Sequence, residues 1–508
     1  MPHALRLAAL GLCTIACVRG PEPAEPEEPV AAKPSTGEAH WRYRASVDAE
    51  LTRMRLGLCI EGPTPPALFA AEGALEFVID ARVRGGDELE RGDDRLLVTT
   101  LGEQGCLDLE LDLAAMANRG ERDASWIGES IMLTPTLWLW HPRLPDSLDA
   151  TLEFDLPAGV HWTGPWPIEG SSRRLDASAF VWSAWTVLGR FEPLVFDAAG
   201  CSFEVAVVGG RPSASAEGLR RWISTAAESS AQLFGRFSRT RASVVAIVGN
   251  GWGSAPVQFG MARRGGGASA MLILDPSAED DALIGEWVST HEFLHFGMPL
   301  VDEAWMSEGF VTYYTTVLRA RQGVLASGRE RSPFEPEQQA RVALEMLADG
   351  FDRGSSGLRS LERSSEFMRQ QGSYQRVYWG GAALAMDLDV QLRRASAGKR
   401  SLDDLMRSMI ELLPQTRRWT AVELFERFDR EVAGWREAGD LDRDVTPSAI
   451  AREHLESRSI PERVLGLHDL AVEIDEGEVR LLAEPADRAA LRRSLFAPHS
   501  SASPDFTL

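Results

Sequence analysis

Two histidines four residues apart, His291 and His295, mark the part of this sequence with the clearest chemistry. On a helix, side chains with that spacing project from one face, so the two imidazoles can bind a single metal ion. Glu292 lies roughly 100° around the helix from His291, beside such an ion without being its ligand. A carboxylate placed there suits a general base that acts on metal-bound water. The pattern therefore predicts a metal centre that performs hydrolysis.

Two histidines on a helix that merely packs are the simpler alternative, because this spacing arises by chance in about one chain in a hundred. A catalytic zinc ion takes three protein ligands and keeps one position for water. Since no further histidine occurs between residues 162 and 453, the third ligand must be a carboxylate. Glu308, near the start of the next helix, is the best candidate, and Asp302 and Glu303 are its local competitors.

The residues around this pattern predict two helices. Ser277 is a candidate N-cap, and the acidic residues 279–281 follow it in the first turn, where negative charge is favourable. Helical spacing continues through the histidines until Pro299, which cannot extend a helix. We therefore expect one helix from about residue 278 to residue 297 and a second from about residue 302 to residue 321.

Longer motifs extend the pattern. The sequence H-E-F-L-H at 291–295, followed by W-M-S-E-G-F-V-T-Y-Y at 305–314, resembles the gluzincin metallopeptidases, especially the glycyl aminopeptidase family and its aminopeptidase N relatives. A later segment, Y-W-G-G-A at 378–382, is similar to the same families. The resemblance implies a β-domain, a thermolysin-like catalytic domain and a helical domain.

The same resemblance implies roles for individual residues. His291, His295 and Glu308 would bind one zinc ion. Glu292 would be the catalytic base, and the hydroxyl of Tyr378 would stabilise the oxyanion of the tetrahedral intermediate. The implied reaction is hydrolysis of a peptide bond in a peptide or protein substrate.

Two features of the sequence differ from the named families. Twelve residues separate His295 from Glu308, which is fewer than in those families. Aminopeptidases of these types also carry an acidic residue on the strand before the metal-binding helix, where it holds the free amine of the substrate. Residues 265–271, taken as that strand, contain no acid, and Arg263 and Arg264 precede them. The sequence is therefore compatible with both aminopeptidase and endopeptidase activity.

The expected fold is α+β and multidomain. Short alternating segments separated by Gly, Pro and Asp turns predict an N-terminal antiparallel β-sandwich domain, ahead of the thermolysin-like catalytic domain and a C-terminal mostly helical domain. A chain of 508 residues is long enough for two or three domains. The expected segments are a lipoprotein-type signal at 1–17, a Pro/Glu-rich tether at 18–39, a β-rich domain at 40–205, the catalytic domain at 206–330, a helical domain carrying Tyr378 at 331–440 and a mixed tail at 441–508.

Individual elements can be predicted within these segments. Alternation with a period of two predicts strands, and a period of 3.6 predicts helices. We expect strands at 75–79, 150–156, 242–248 and 270–274, a helix at about 216–234, and a hairpin formed by 472–474 and 479–481.

Eight tryptophans occur in the β-rich domain, and they are open to two interpretations. An aromatic platform for glycan binding is one, and a core filled by large side chains is the other. The second is favoured, because large aromatic side chains commonly fill the space between two sheets. The eight residues are Trp41, Trp126, Trp138, Trp140, Trp162, Trp166, Trp182 and Trp185.

The first residues indicate export. An apolar stretch at 7–18 contains Thr14-Ile15-Ala16-Cys17, which resembles a bacterial lipoprotein signal in which Cys17 becomes lipidated. A plain secretory signal is the alternative. Val18 after the cysteine favours the outer membrane if the cell is Gram-negative. The expected location is therefore the bacterial cell envelope, with a lipid anchor.

Three cysteines remain beyond residue 17. Export permits a disulfide, and Cys59 with Cys106 is the favoured pair because both belong to the β-rich domain. Cys201 would then be a free thiol. With so few cysteines, a structural zinc site built mainly from thiolates is excluded.

Composition limits the partners. The net charge of −22 argues against nucleic acid, and no block of Lys and Arg offsets it. No apolar run approaches the roughly 18 residues of a membrane-spanning helix, so membrane contact is expected only through the lipid anchor. The alternative function is a non-catalytic surface lipoprotein that binds through the peptidase scaffold or the Trp-rich domain. The oligomeric state is not indicated by the sequence.

Overall fold

The computed structural model describes residues 39–497, apart from 63–64, 99–100, 102–103, 121–122, 146, 250–252, 326–334, 356, 358, 414–416 and 476. The predicted lipidation residue Cys17, the predicted signal and residues 18–38 of the predicted tether lie outside the described residues. Among the helices described, none is both long and apolar enough to cross a bilayer.

The first part of the described chain is β-rich, as predicted. A seven-stranded sheet has the order Ile168–Glu169, Ser172–Leu175, Leu148–Asp155, Ala39–Val47, Arg53–Glu61, Gln104–Asp112 and Val78–Val83. A four-stranded sheet has the order His161–Thr163, Thr186–Gly189, Ser130–Leu133 and Ala124–Ile127. A three-stranded sheet contains Ala67–Phe69, Arg95–Leu97 and Glu90–Gly92. Side chains from the two larger sheets share one buried core.

Two expectations for this region are wrong in part. Ala39–Val47 and Leu148–Asp155 pair in parallel, so the large sheet is mixed rather than purely antiparallel. The long stretch of chain between these strands supplies the crossover that a parallel pair requires. The strand expected at 75–79 starts only at Val78, because Ala74–Phe77 forms a 3-10 helix after Gly73, whose φ is 74°.

The tryptophans of the β-rich region mostly serve packing. Six of the eight are buried, which supports the core interpretation over a continuous aromatic platform. Trp126 is 37% exposed, and Trp182 is half-buried. The buried ones are Trp41, Trp138, Trp140, Trp162, Trp166 and Trp185.

The predicted disulfide is present. Cys59 and Cys106 lie directly opposite each other on neighbouring antiparallel strands, with Cα atoms 4.0 Å apart. Cys201 is a buried free thiol, and burial raises its pKa to about 12. This thiol is therefore protonated at neutral pH and unreactive.

A five-stranded sheet positions the predicted metal centre. Its five strands have the order Leu194–Ala198, Cys201–Val208, Arg241–Val248, Ala268–Leu274 and Val257–Arg263. The three central strands are parallel, and both edge strands are antiparallel to their neighbours. The helix Ala216–Phe234 makes the crossover between two parallel strands, in the place where periodicity predicted it. The boundary expected after residue 205 falls inside the strand Cys201–Val208.

The rest of the described chain is mainly helical, and most of its buried side chains form one core that includes the C-terminal tail. The hairpin Val472–Asp475 with Glu478–Leu481 confirms its prediction, and Leu300–Val301 pairs in parallel with Arg418–Trp419. The α-helices of this region are Asp280–Leu283, Trp287–His295, Ala304–Ser307, Gly309–Gln322, Pro336–Ser355, Leu361–Glu366, Met368–Gln371, Tyr374–Ala395, Leu402–Ser408, Ala421–Glu437, Pro447–Glu456, Glu462–Leu465 and Ala486–Phe496.

The prediction of a single helix from about residue 278 is wrong, because the helix is interrupted at Gly285. This glycine has a φ of 73°, which L side chains rarely adopt, and its carbonyl accepts a hydrogen bond of 2.8 Å from Nε of Arg319. The second helix, Trp287–His295, is capped by Glu286, whose carboxylate accepts from the N–H groups of Val288 and Ser289. Ser277 therefore caps neither helix. We call Trp287–His295 the motif helix.

Candidate metal centre

Three of the predicted site residues lie together. One ligand atom each from His291, His295 and Glu308 falls within 4.8 Å of the others. Oε2 of Glu308 is 3.3 Å from Nε2 of both histidines. Both imidazoles are buried, and the Glu308 side chain is 23% exposed. Two imidazole nitrogens and one carboxylate oxygen thus converge on one point, and Glu308 is the most exposed of the three side chains.

Glu308 lies where the second expected helix is interrupted. Ala304–Ser307 and Gly309–Gln322 are separate helices, and Glu308 is the junction between them. Helical hydrogen bonds still pass through the junction: the N–H of Glu308 donates to Ala304 O, and Thr312 N–H donates to Glu308 O. The carboxylate is therefore held by a nearly continuous backbone.

The competing carboxylates are occupied elsewhere. Asp302 accepts a 2.6 Å hydrogen bond from Nε of Arg418, and Glu303 accepts one of 2.7 Å from the N–H of Ala421. Both fasten the segment before Glu308 to the C-terminal helical region. This leaves Glu308 as the carboxylate that faces the histidines.

His291 is oriented by its neighbours. Its Nδ1 is 3.4 Å from Oγ1 of Thr315, whose hydroxyl donates at 2.7 Å to Val311 O. Since that hydroxyl proton is directed at Val311 O, Nδ1–H can donate to Oγ1 of Thr315, and Nε2 then carries the lone pair that a metal ion would bind. Burial lowers the pKa of His291 to about 4, so the imidazole is neutral, as a metal ligand must be. The ring of Trp287 stacks on it with centroids 4.2 Å apart.

Glu292 lies beside the three ligands and is held by the edge strand Val257–Arg263. Its Oε2 accepts a 2.8 Å hydrogen bond from the N–H of Ala262. Burial raises the pKa of Glu292 to about 7. A carboxylate with such a pKa can both accept and return a proton near neutral pH.

The edge strand Val257–Arg263 was not predicted from the sequence, although Gly260 within it could have indicated a close contact. A glycine inside a strand often marks a close approach of the backbone to another group. A Cβ atom at this position would lie 2.6 Å from Cγ of Glu292. Val257–Arg263, rather than the strand at 268–274, is therefore the strand that faces the site, and it also contains no acidic residue.

The glycines at 265–267 serve contacts with the β-rich region. Trp182 covers Gly265, and Nε1 of Trp166 donates a 2.8 Å hydrogen bond to Gly266 O. The guanidinium of Arg263 stacks over Trp185, 3.6 Å from the ring centroid. These contacts fix the turn at the end of the edge strand, and with it the N–H that holds Glu292.

Tyr378 lies next to His291, and the two rings are nearly parallel, with centroids 5.9 Å apart. This proximity depends on a close crossing of the helices Gly309–Gln322 and Tyr374–Ala395. A Cβ atom on Gly381 would overlap Trp305 O and Cα of Gly309, so the crossing requires glycine on both helices. The structure thus brings the five residues predicted for the metal centre into one region.

Substitution of Gly381 by Ala is expected to lower the free energy of unfolding by about 1–3 kcal/mol, because the added methyl group forces the two helices apart. Gly434→Ala is a matched control, since nothing lies within 4 Å of its Cβ position. That change is expected to stabilise the helix by about 0.5–1 kcal/mol. Urea unfolding of the two variants measures both effects, and equal stability would contradict the crossing.

Comparison with solved structures identifies the fold. Similar to this chain is the crystal structure of an aminopeptidase N family protein from Idiomarina loihiensis, with a TM-score of 0.60 and 17% identity over 86% of this chain and 79% of that chain. The chain has that protein's fold. No protein-family model and no curated protein match the sequence.

Two structures of the yeast enzyme LTA4 hydrolase are more distant. One is its complex with bestatin, with a TM-score of 0.45 and 10% identity over 79% of this chain and 65% of that chain. The other is native leukotriene A4 hydrolase from Saccharomyces cerevisiae, with a TM-score of 0.46 and 10% identity over 81% of this chain and 70% of that chain.

Proposed function

We propose that this protein is a zinc-dependent metallopeptidase. The proposal depends on one observation, the convergence of ligand atoms from His291, His295 and Glu308 within 4.8 Å. Two imidazole nitrogens and one carboxylate oxygen form a catalytic zinc ligand set that leaves a position for water. The neutral His291 and its hydrogen bond to Thr315 fit that role, because metal-bound histidines donate their other N–H to a fixed acceptor. The fold shared with an aminopeptidase N family protein agrees with peptide hydrolysis.

The remaining residues supply proton transfer and oxyanion stabilisation. When bound, a zinc ion would lower the pKa of water towards about 7 and polarise the scissile carbonyl. Glu292 takes a proton from the attacking water and later returns it to the leaving amine. The N–H of Ala262 keeps the Glu292 carboxylate in place during both transfers. The Tyr378 hydroxyl donates a hydrogen bond to the oxyanion of the tetrahedral intermediate.

Metal content and peptide cleavage test the proposal together. Elemental analysis of the purified protein should find one zinc ion per chain. Mass spectrometry of a mixed peptide library should show cleavage that a chelator abolishes and added zinc restores. Products shortened by one N-terminal residue would indicate an aminopeptidase, and internal cuts an endopeptidase. Protein without zinc, or a library left intact by zinc-loaded protein, would favour the non-catalytic binding role.

Substitution of Tyr378 by Phe is expected to lower kcat by about 10²-fold, because one donor to the oxyanion is lost. Zinc content and KM should change little, since the ring beside His291 is kept. Steady-state kinetics on one library-derived peptide measures this. Tyr374→Phe, one turn earlier on the same helix, is the control and should keep wild-type kcat. A Tyr378→Phe variant with wild-type kcat would remove Tyr378 from the mechanism.

We also propose that the protein acts at the cell envelope, held by a lipid on Cys17. The support is the sequence Thr14-Ile15-Ala16-Cys17 behind an apolar stretch, followed by the Pro/Glu-rich tether. Fractionation of cells that express the Cys17→Ser variant tests the anchor. Equal membrane association of variant and wild type would show that the attachment does not use this cysteine.

A further inference from the structure

Trp287 begins the motif helix, one turn before the predicted zinc ligand His291. Because residues four apart share one face of a helix, the indole and the imidazole project from the same face. The two rings stack with centroids 4.2 Å apart and planes inclined by 23°. Aromatic pairs usually lie about 4.5–7 Å apart, so the indole is in direct contact with the flat face of the imidazole.

The start of the motif helix holds Trp287 in this place. The carboxylate of Glu286, the residue before it, accepts hydrogen bonds of 2.6 Å from the N–H of Val288 and 2.7 Å from the N–H of Ser289. The same carboxylate accepts a 3.0 Å hydrogen bond from Nε1 of Trp222, on the helix Ala216–Phe234. These bonds fix the first turn of the motif helix on both sides of Trp287, and the helix is also fastened to its neighbour.

The orientation of the His291 ring depends on such contacts. Its χ2 torsion joins a tetrahedral to a planar carbon, and the preferences of such a bond are broad. The distance of 3.4 Å from Nδ1 to Oγ1 of Thr315 is long for a hydrogen bond, since N–H···O bonds are usually about 2.7–3.2 Å. Rotation about χ2 would turn an edge of the imidazole into the indole of Trp287. Trp287 thus favours the orientation in which Nε2 lies 3.3 Å from Oε2 of Glu308.

His295 in turn packs against His291. The two imidazoles meet edge to face, with centroids 4.9 Å apart and planes inclined by 83°. Among the described residues, no partner forms a hydrogen bond with the buried Nδ1 of His295. A shift of the His291 ring would therefore also remove a contact that restrains His295. Support from Trp287 reaches both imidazoles of the centre.

We infer that Trp287 is a positioning residue of the metal centre, which preorganises His291 for zinc by stacking on its ring. Neighbours that orient a ligand raise metal affinity, because the ligand then loses less freedom when the ion binds. The inference depends on the proposed zinc site and deepens it. Trp287 acts through His291 and is not itself a ligand.

Zinc affinity tests this role. Competition with a fluorescent chelator gives the Kd of the purified full chain for zinc. Trp287→Leu keeps an apolar side chain but removes the flat face, and it should weaken zinc binding about 10–100-fold. Trp287→Phe keeps a flat ring and should restore most of the affinity. Trp126→Leu, on a strand of the β-rich region, is the control and should bind zinc as wild type does. Equal affinity of the Leu variant, the Phe variant and wild type at position 287 would overturn the role.

Cobalt spectroscopy distinguishes positioning from packing alone. Co²⁺ in place of zinc absorbs visible light with a spectrum that depends on the geometry of its ligands. The spectrum of Trp287→Leu should differ from that of wild type, and the spectrum of Trp287→Phe should match it. Urea unfolding of the metal-free proteins measures the contribution of packing to stability. A Trp287→Leu variant that is less stable but has the wild-type zinc Kd and cobalt spectrum would contradict positioning.

Kinetics at saturating zinc separates this role from contact with the substrate. Once the site is filled, Trp287→Leu should keep the wild-type KM, whereas loss of a substrate contact would raise KM. A raised KM with unchanged zinc affinity would overturn the inference. Weaker zinc binding by Trp287→Leu, in a protein that cleaves no peptide, would support positioning and contradict the peptidase. Peptide cleavage by wild type, with a zinc affinity that Trp287→Leu does not alter, would contradict positioning alone.

Discussion

Substitution of Glu292 by Gln is expected to lower kcat of peptide hydrolysis by about 10²–10⁴-fold, the usual contribution of a general acid–base residue. The amide cannot accept a proton from water, and it cannot return one to the leaving amine. Burial raises the pKa of Glu292 to about 7, whereas the amide of Gln has no proton-accepting group that could be adjusted in this way. The predicted loss is therefore in the chemical step, with KM nearly unchanged.

The same substitution should leave the structure intact. Gln has the shape of Glu, and its amide oxygen can still accept the hydrogen bond from the N–H of Ala262. Zinc content should remain at one ion per chain, because Glu292 is not among the three converging ligand residues. Glu303→Gln is the matched control, since that carboxylate binds the N–H of Ala421 and should not affect kcat. A Glu292→Gln variant that turned over at the wild-type rate would make this mechanism untenable.

Local patterns in the sequence predicted much of the site and several elements. The helix Ala216–Phe234 and the strand Arg241–Val248 follow from periodicity, because each buries one side or both sides along its length. The spacing of His291 and His295 placed both imidazoles on one helical face, and the motif around Glu308 located the facing carboxylate. These features depend on neighbours within a few residues, which a sequence displays directly.

What the sequence did not predict depends on contacts between distant segments. The break at Gly285 depends on Arg319, which donates to its carbonyl from another helix. The edge strand Val257–Arg263 shows little alternation of apolar and polar residues. Its role depends on the hydrogen bond from the N–H of Ala262 to Glu292, which joins two segments distant in sequence. The parallel pairing within the first sheet joins strands about a hundred residues apart. In each of these cases tertiary contacts, rather than local sequence preferences, determine the structure.

A buried charge network fastens the helices that carry Glu308 and Tyr378 at their far ends. Asp403 accepts hydrogen bonds from Arg321 at 2.9 Å, from Arg393 at 3.2 Å and from the Tyr314 hydroxyl at 3.0 Å. Asp389 accepts from Arg393 at 2.9 Å. Asp389 and Asp403 have no exposed surface, and the residues Arg321 and Arg393 are at most 6% exposed. Two buried cations are thus balanced by two buried anions.

Substitution of Asp403 by Asn is expected to lower the free energy of unfolding by about 3–5 kcal/mol. The side chain keeps its shape but loses its charge, so Arg321 and Arg393 would share the single carboxylate of Asp389. A buried charge without a counter-ion is far more costly than the intact pair is favourable. Because Arg321 also donates to Leu495 O, the C-terminal helix Ala486–Phe496 should loosen together with the network.

The Asp349→Asn variant is a control for the loss of a charge at an exposed position. Asp349 forms an ion pair with Arg353 at 2.7 Å, but its side chain is 58% exposed. Its substitution should cost under about 1 kcal/mol, because solvent already screens that pair. Urea unfolding gives both free energies, and hydrogen exchange should show earlier opening of residues 486–496 in Asp403→Asn alone. Equal destabilisation by the two variants would mean that the buried network does not hold the tail.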